Sequence, residues 1–466
     1  MPPAASEVQV LDAETGEPIG GAVVQGSGEV RVTDSAGRSA WPAAGPYVVT
    51  AVGYEPVRLR SGRSTVRLRA MARNGRVVDQ EGVPVAGAII AHDGVWAESD
   101  TAGRFAFRGD LTEGEVIVKR AGYRPFEGSW DGKSPLVLER LELRALYISF
   151  PRLSPDYVPH LLERMAQRGY NGVVLDAKSD RGLLGWDSQV PLARELPEVN
   201  NQAWMPITEV LKLAKQYNFY TVARVVTFKD HPLATAFPQR AVRRGDGSVW
   251  IDIEGLGWSD PFLRENWDYN VELGKELAAM GFDEINYDYI RLPTDGAIKE
   301  IVWPIEHTYE MRTGAIDGFL NEVRLALRPT RALLSGDVFG LVPSVVKGND
   351  MGIGQTVETI TPYLDILCPM VYPSTFIPGN LGLKDPHREP YEVVYRSVVA
   401  ASKRTTTPIR PWLQGYSLGV EFGPREWSAE VQAALDSTDM GFVFWLASGK
   451  YDGLLKADLP TRTAVK

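Results

Sequence analysis

Glu284, Asn286 and Asp288 fall at every second position of FDEINYDYIRLP (Phe282 to Pro293), with Ile285, Tyr287 and Tyr289 between them. In a strand, that alternation puts the polar set on one face and the apolar and aromatic set on the other. A second acid, Asp337, sits among apolar residues in LLSGDVFG. Two carboxyl groups in unlike surroundings are what hydrolysis of a glycosidic bond needs. One is kept protonated to donate to the leaving oxygen; the other is ionised, to attack the anomeric carbon or activate water. Asn286 and Arg291 near Asp288 suit the ionised role, since a cation favours a carboxylate. The apolar neighbours of Asp337 suit the proton donor. Taken alone, each acid has a plainer reading: Asp288 capping a turn or pairing with Arg291, and Asp337 a turn residue after Gly336.

The elements that must position these residues begin at Arg144, where strands start to alternate with helix-length amphipathic stretches. Eight segments read as strands: Ala145 to Phe150, Gly172 to Lys178, Tyr220 to Thr227, Asp283 to Ile290, Leu333 to Phe339, Ile366 to Tyr372, Ile409 to Gln414 and Gly441 to Ala447. That number fits an α/β (β/α)8 TIM barrel, whose chemistry gathers at the C-terminal ends of the strands. Helices are expected over Phe262 to Met280, Pro206 to Tyr217 and Ile316 to Leu327. Another is expected to be capped by Ser154, with Pro155 in its first turn, and to stop at Gly169. Long insertions at Asp180 to Pro206 and Asp230 to Pro261 are expected to build a substrate groove.

The strand ends supply the candidate site. Asp288 and Asp337 are the catalytic candidates. Asp176, Lys178, Arg224, Asn286, Arg291 and Gln414 are candidate substrate-binding residues, joined by Trp186, Tyr372 and Trp445 as faces for sugar stacking. Packing at the barrel mouth would explain those three aromatics equally well. In LDAKSD, Asp176 shares a face with Lys178 and Asp180, so it could bind a substrate hydroxyl, pair with Lys178 or join the catalytic pair; the binding role is preferred.

Composition narrows the function classes. The 466 residues suffice for roughly two or three domains, and contents of 44% hydrophobic and 23% charged are globular values. No apolar run is long enough to span a bilayer. A formal charge of −9 argues against nucleic acid as the main partner. Cys368 is the single cysteine, so no internal disulfide forms. His92, His160, His231, His307 and His387 show no HxH or HExxH spacing, so no metal or other cofactor is expected. MPPAASEVQV lacks the charged start and apolar core of a signal peptide. Either the protein stays inside the cell or a leader was removed.

The N-terminal part is a tandem repeat. GEPIGGAVV (Gly16 to Val24) returns as GVPVAGAII (Gly82 to Ile90), TDSAGR (Thr33 to Arg38) as SDTAGR (Ser99 to Arg104), and VGYEP, with Gly53, as AGYRP, with Gly122. Short alternating segments between Gly, Pro and Asp predict two small all-β sandwich domains, 1–71 and 72–142, before a barrel at 143–466. The repeats resemble carboxypeptidase regulatory-like (transthyretin-like) domains, which are usually spacers or weak binding modules on secreted and surface enzymes. Trp41, Trp96 and Trp130 are read as core residues before sugar-stacking ones.

DAKSDRGLLGW, ARVVTFKDHPLA, WSDP, GFDEINYDYIRLP, PMVYPS, IRPWLQGY and GFVFWLASGKYD occur in order across most of Arg144 to Asp452. Together they resemble the putative glycosyl-hydrolase barrel family, a bacterial group of largely uncharacterised proteins. The resemblance implies a barrel that cleaves a polysaccharide or glycoconjugate, with Asp288 as its key carboxylate. Many better known glycosidase barrels carry a Glu at the end of strand four or seven, whereas strand seven here ends in Gln414. That departure bears on the acid/base assignment and leaves retention or inversion open. The expected function is therefore a glycoside hydrolase acting on a bacterial extracellular or cell-surface polysaccharide. The alternative is a non-catalytic carbohydrate-binding envelope scaffold.

Overall fold

The computed structural model describes residues 7–52, 54–69, 72–108 and 114–462. Gly53, Met71 and the first six residues, which enter the repeat, boundary and signal-peptide expectations above, lie outside that set. By its contacts the chain divides into one unit of Met1–Val118 with Phe126–Leu138 and another of Lys119–Pro125 with Glu139–Lys466.

Each repeat of the first unit builds a three-stranded and a four-stranded sheet. In the first copy Glu7–Asp12 lies between Arg38–Ala40 and Thr65–Leu68, and the other sheet runs Glu29–Val32, Val23–Gly26, Tyr47–Thr50, Val57–Leu59. Val8, Val10 and Leu68 from one sheet meet Val24 and Val49 from the other, so alternate residues of both sheets form one core. The second copy repeats this order. The repeated SAGR and TAGR turns have a common cause: Asp34 accepts from the N–H groups of Ala36 and Arg38, and Asp100 from those of Ala102 and Arg104. Gly37 and Gly103 follow at φ +70° and +72°, where a Cβ would come within 2.4 Å and 2.3 Å of a backbone oxygen. Trp41 and Trp130 are buried as expected of core residues, whereas Trp96 is 42% exposed.

The second unit is a closed ring of eight parallel strands: β1 (Leu143–Ile148), β2 (Gly172–Lys178), β3 (Tyr220–Val226), β4 (Glu284–Asp288), β5 (Leu333–Phe339), β6 (Ile366–Met370), β7 (Trp412–Gln414) and β8 (Gly441–Trp445). Around it lie α1 (Val158–Gln167), α2 (Ile207–Gln216), α3 (Arg264–Met280), α4 (Tyr309–Leu327), α5 (Pro390–Ser402) and α6 (Pro424–Ser437). Outward residues such as Ile285 and Tyr287 pack against the helix layer with Leu273, Phe319 and Val323. Inward residues Ala145, Tyr147, Val174, Tyr220, Val222, Leu333 and Cys368 fill the interior.

Several predicted boundaries shift, each for a local reason. β4 stops at Asp288 because Tyr289 turns to φ 53°, outside the strand region. β7 starts at Trp412 because Pro411 has no N–H for the ladder. Ser154 is not the cap of α1: its carbonyl accepts from Tyr157 and Val158 in a preceding turn, and the helix begins at Val158. Gly281, at φ 98°, ends α3 in the left-handed conformation that glycine adopts without penalty.

The barrel floor is ionic. Glu284 accepts from Arg410 through both carboxylate oxygens, and also from Tyr220 Oη at 3.0 Å and from Ser335 Oγ. Both charged residues are buried. Glu284→Gln would leave the Arg410 guanidinium without its counter-charge in a low-dielectric interior, and is expected to cost about 3 kcal/mol of unfolding free energy in denaturant titration. On α4, burial pushes the Asp317 carboxyl up to about 7, against a smaller pull from Thr359, and Asp317 Oδ1 has no hydrogen-bond partner among the described residues. A raised folded-state value means that the folded chain holds the proton more tightly. Its stabilising contribution is therefore complete below the unfolded value near 3.8 and is lost as pH rises through about 7. Asp317→Asn should leave stability unchanged at pH 3.5 and raise it at pH 8, by on the order of 1 kcal/mol after solvent screening, as read by thermal melts across that range.

Candidate active site

The polar column of β4 faces inward, and each member meets a different partner. Glu284 is bound at the floor, Asn286 stands above it, and Asp288 reaches the C-terminal rim. The ladder pairs Asn286 with Ser335 and Tyr287 with Gly336, so Asp288 and Asp337 are neighbours one step further on. Adjacent strands are about 4.8 Å apart, which puts both acids on one stretch of rim.

Their surroundings differ in kind. Asp288 Oδ2 accepts from Arg224 Nη2 at 2.6 Å and Nε at 3.2 Å, and Oδ1 accepts from the N–H of Tyr289 at 2.6 Å. Three donors, two of them on a guanidinium, suit a negatively charged group. Asp337 Oδ1 instead accepts from the neutral donors Asn286 Nδ2 and Trp412 Nε1, each at 2.8 Å. Burial pushes the Asp337 carboxyl well above the usual carboxylate range, and the charge of Asp288 adds to the shift. The hydrogen bonds from Asn286 and Trp412 and the charge of Arg224 oppose it without reversing it.

Arg224 is the organising cation. Its Nη1 also donates to Asp176 Oδ1 at 2.6 Å, and its guanidinium lies over Tyr147, 5.6 Å from the ring centre. Burial works against its charge, but Asp288 and Asp176 outweigh that and raise its proton affinity. Burial likewise raises the Asp176 carboxyl, partly offset by Arg224. The expectation that Asn286 and Arg291 would support Asp288 needs correcting: Asn286 serves Asp337, and the ion pair of Asp288 is with Arg224 on β3.

A cavity of about 260 Å3 opens over these groups, lined by Arg224, Asp288, Arg291, Asp337, Tyr372 and Trp445, together with Tyr289, Phe339, Met370, Thr375, Trp412 and Tyr416. Tyr372 and Trp445 stack at 5.6 Å between ring centres, and Tyr416 meets Trp445 edge-on at 5.3 Å. An apolar pocket of about 350 Å3 shares Phe339, Met370, Tyr372 and Thr375 with it. A larger hollow of about 700 Å3 lies outside the barrel beside α5. Its one carboxylate, Glu358, is taken by Arg404 at 2.6 Å, so it offers no acid/base pair.

Three predicted residues stand elsewhere. A bulge between Asp176 and Lys178 breaks the alternation they were expected to share. Lys178 is thereby sealed against α3, with its Nζ 2.7 Å from Asp230 Oδ2 and 3.1 Å from Asn270 Oδ1. Trp186 is 1% exposed and donates to Glu276 of α3 at 2.8 Å, so it belongs to the core of its insertion. Gln414 is buried as a brace, accepting from the N–H of Ser374 and donating to the carbonyl of Tyr416. Trp412 and Tyr147 were missed. Counting in twos back from Gln414 would have found Trp412 and, below it, Arg410. Among the described residues no group of three or more His, Cys, Asp or Glu is placed to hold a metal ion, and no helix is long and apolar enough to cross a membrane.

Residues 145–451 match the family model described as putative glycosyl hydrolase domain. This chain belongs to that family. The match makes the barrel a glycosyl hydrolase domain and carbohydrate its substrate class. No curated protein matches the sequence. Among solved structures, a hypothetical protein from Ruminiclostridium thermocellum ATCC 27405 is 31% identical, over 41% of this chain and 97% of that one, with a TM-score of 0.37. The PgaB (BpsB) glycoside hydrolase domain from Bordetella bronchiseptica is 11% identical, over 68% of this chain and 97% of that one, with a TM-score of 0.50. This second likeness is one of fold. An α-galactosidase from Thermus thermophilus is 14% identical over 81% of this chain and 73% of its own, with a TM-score of 0.43.

Proposed function

We propose that the barrel of this glycosyl hydrolase family member cleaves O-glycosidic bonds of a bacterial extracellular or cell-surface polysaccharide, with Asp337 as proton donor and Asp288 as nucleophile or base. The observation that carries the reading is the contrast between neighbouring acids. Asp337 is held by neutral donors and its carboxyl is pushed well above the usual range by burial, while Asp288 is gripped by a guanidinium. A sugar in the cavity would lie against Tyr372 and Trp445. Asp337 would pass its proton to the leaving oxygen as Asp288 attacks the anomeric carbon or takes a proton from water. Arg224 would act as a positioning residue, fixing Asp288 and Asp176 together; Asp176 lies outside the cavity lining, with its Oδ2 accepting from the N–H of Phe150 at 3.3 Å, so its part in this reading is to hold Arg224 rather than to bind sugar directly.

The β-sandwich repeats, with boundaries at 1–71 and 72–142, act in this reading as regulatory-like modules that present the barrel at the cell surface. The competing reading, a carbohydrate-binding scaffold without turnover, draws on Gln414 standing where other barrels carry an acid. It is disfavoured by the intact Asp288 and Asp337 pair. Incubating the protein with a panel of bacterial exopolysaccharides and measuring new reducing ends decides between them: release from at least one glycan is expected, and binding without release across the panel would leave only the scaffold.

A further inference from the structure

Arg291 is the one cation lining the cavity that the catalytic groups do not use. It is 6% exposed, and among the described residues it forms no ion pair; Arg224, the other cation of the lining, bridges two carboxylates. Its hydrogen bonds among the described residues come from a single nitrogen, Nη1, to the carbonyl of Leu292 and to Thr294 Oγ1, both at 3.1 Å. Nε and Nη2 are left without a partner among the described residues. The guanidinium is packed among the rings of Phe339, Tyr289 and Trp258, with centroids at 4.5, 4.8 and 5.0 Å. Ring faces hold the side chain in place and soften its desolvation, yet they carry no counter-charge. Lys229, nearby over Tyr289, is by contrast fully engaged with Asp252 and Glu254.

Burying a cation without a counter-ion is costly, and a planar guanidinium with two free donors is shaped for a carboxylate or sulfate. Burial lowers the proton affinity of Arg291, and the acids around it make up only part of the loss, so a bound anion would complete the site. We propose that Arg291 receives an anionic group on the sugar bound in this cavity, making the substrate an acidic glycan built from uronate or sulfated residues. The inference rests on reading the cavity as the glycosidase site, and it deepens that reading by naming the substrate class.

The test is binding calorimetry on the full chain carrying Asp288→Asn, so that ligands stay intact, repeated on the unaltered chain. The probes are oligogalacturonate, oligoglucuronate and sulfated galactan oligosaccharides, each beside its carboxyl-reduced or desulfated counterpart. At least one acidic member should bind at least about tenfold more tightly than its neutral counterpart, with an affinity that weakens as salt is added. Which arm shows the effect tells carboxylate from sulfate. Arg291→Met should erase the preference and Arg291→Lys should restore part of it, while thermal melts verify that both variants fold. Equal affinity for acidic and neutral counterparts, no binding of any acidic probe, or a preference that survives Arg291→Met would overturn the inference. Acid-selective binding without any hydrolysis would defeat the hydrolase reading alone. Reducing ends released from a neutral glycan, without acid selectivity, would defeat this inference alone.

Discussion

Asp288→Asn is expected to lower turnover by about four orders of magnitude on any glycan the protein cleaves, with glycan binding retained. The substitution preserves size and can still accept from Arg224, but it removes the negative charge that must meet the anomeric carbon or draw a proton from water. Arg224 keeps Asp176 as a counter-ion, so the stability loss should stay within about 1–3 kcal/mol. Asp288→Ala separates the two possible roles. In a retaining enzyme, added azide would occupy the vacated space and yield a glycosyl azide of inverted configuration, because an external nucleophile replaces the carboxylate. In an inverting enzyme the same addition restores nothing through a covalent intermediate. Near-normal hydrolysis by Asp288→Asn would dismiss Asp288 from the chemistry.

Asp337→Ala should show a different signature. Substrates with poor leaving groups need the proton and should lose about two to four orders of magnitude in rate; dinitrophenyl glycosides, whose leaving group departs unaided, should lose little. The pH profile supplies a second readout. A proton donor works only while protonated, so wild-type activity falls as pH rises through the elevated value that burial and Asp288 give Asp337. The variant should lack that alkaline limb. If good and poor leaving groups suffer equally, Asp337 is not the proton donor, and the result points instead to Asp176, whose carboxyl is also raised by burial.

The barrel was legible in the sequence because parallel strands buried on both faces leave apolar runs of fixed length, and all eight were placed to within a few residues. Asp288, Asp337, Arg224, Tyr372 and Trp445 were legible as polar or aromatic residues at strand ends, and the fold brings them to one cavity. Other features were not legible, for physical reasons. The bulge after Asp176 is a backbone irregularity with no residue signature, and it alone sends Lys178 to the helix layer. Pairing across strands is equally hidden: Arg291 lies three residues from Asp288, yet the ion pair comes from Arg224 on β3. Trp186 was assigned to the rim because its loop belongs there, but its indole packs into the apolar core and donates to the Glu276 carboxylate on α3.

The contact between Glu284 and Arg410 has a bearing on how the strands find their places. Sliding β4 by two residues keeps every side chain on its proper face, so hydrophobic burial barely penalises the slip. Yet such a slip would carry Asp288 or Asn286 to the wrong height and strand a guanidinium in the floor. The buried charge pair thus acts as a vernier that fixes axial position where burial cannot. An all-aliphatic replacement could melt at the same temperature or higher while letting the two acids drift out of step.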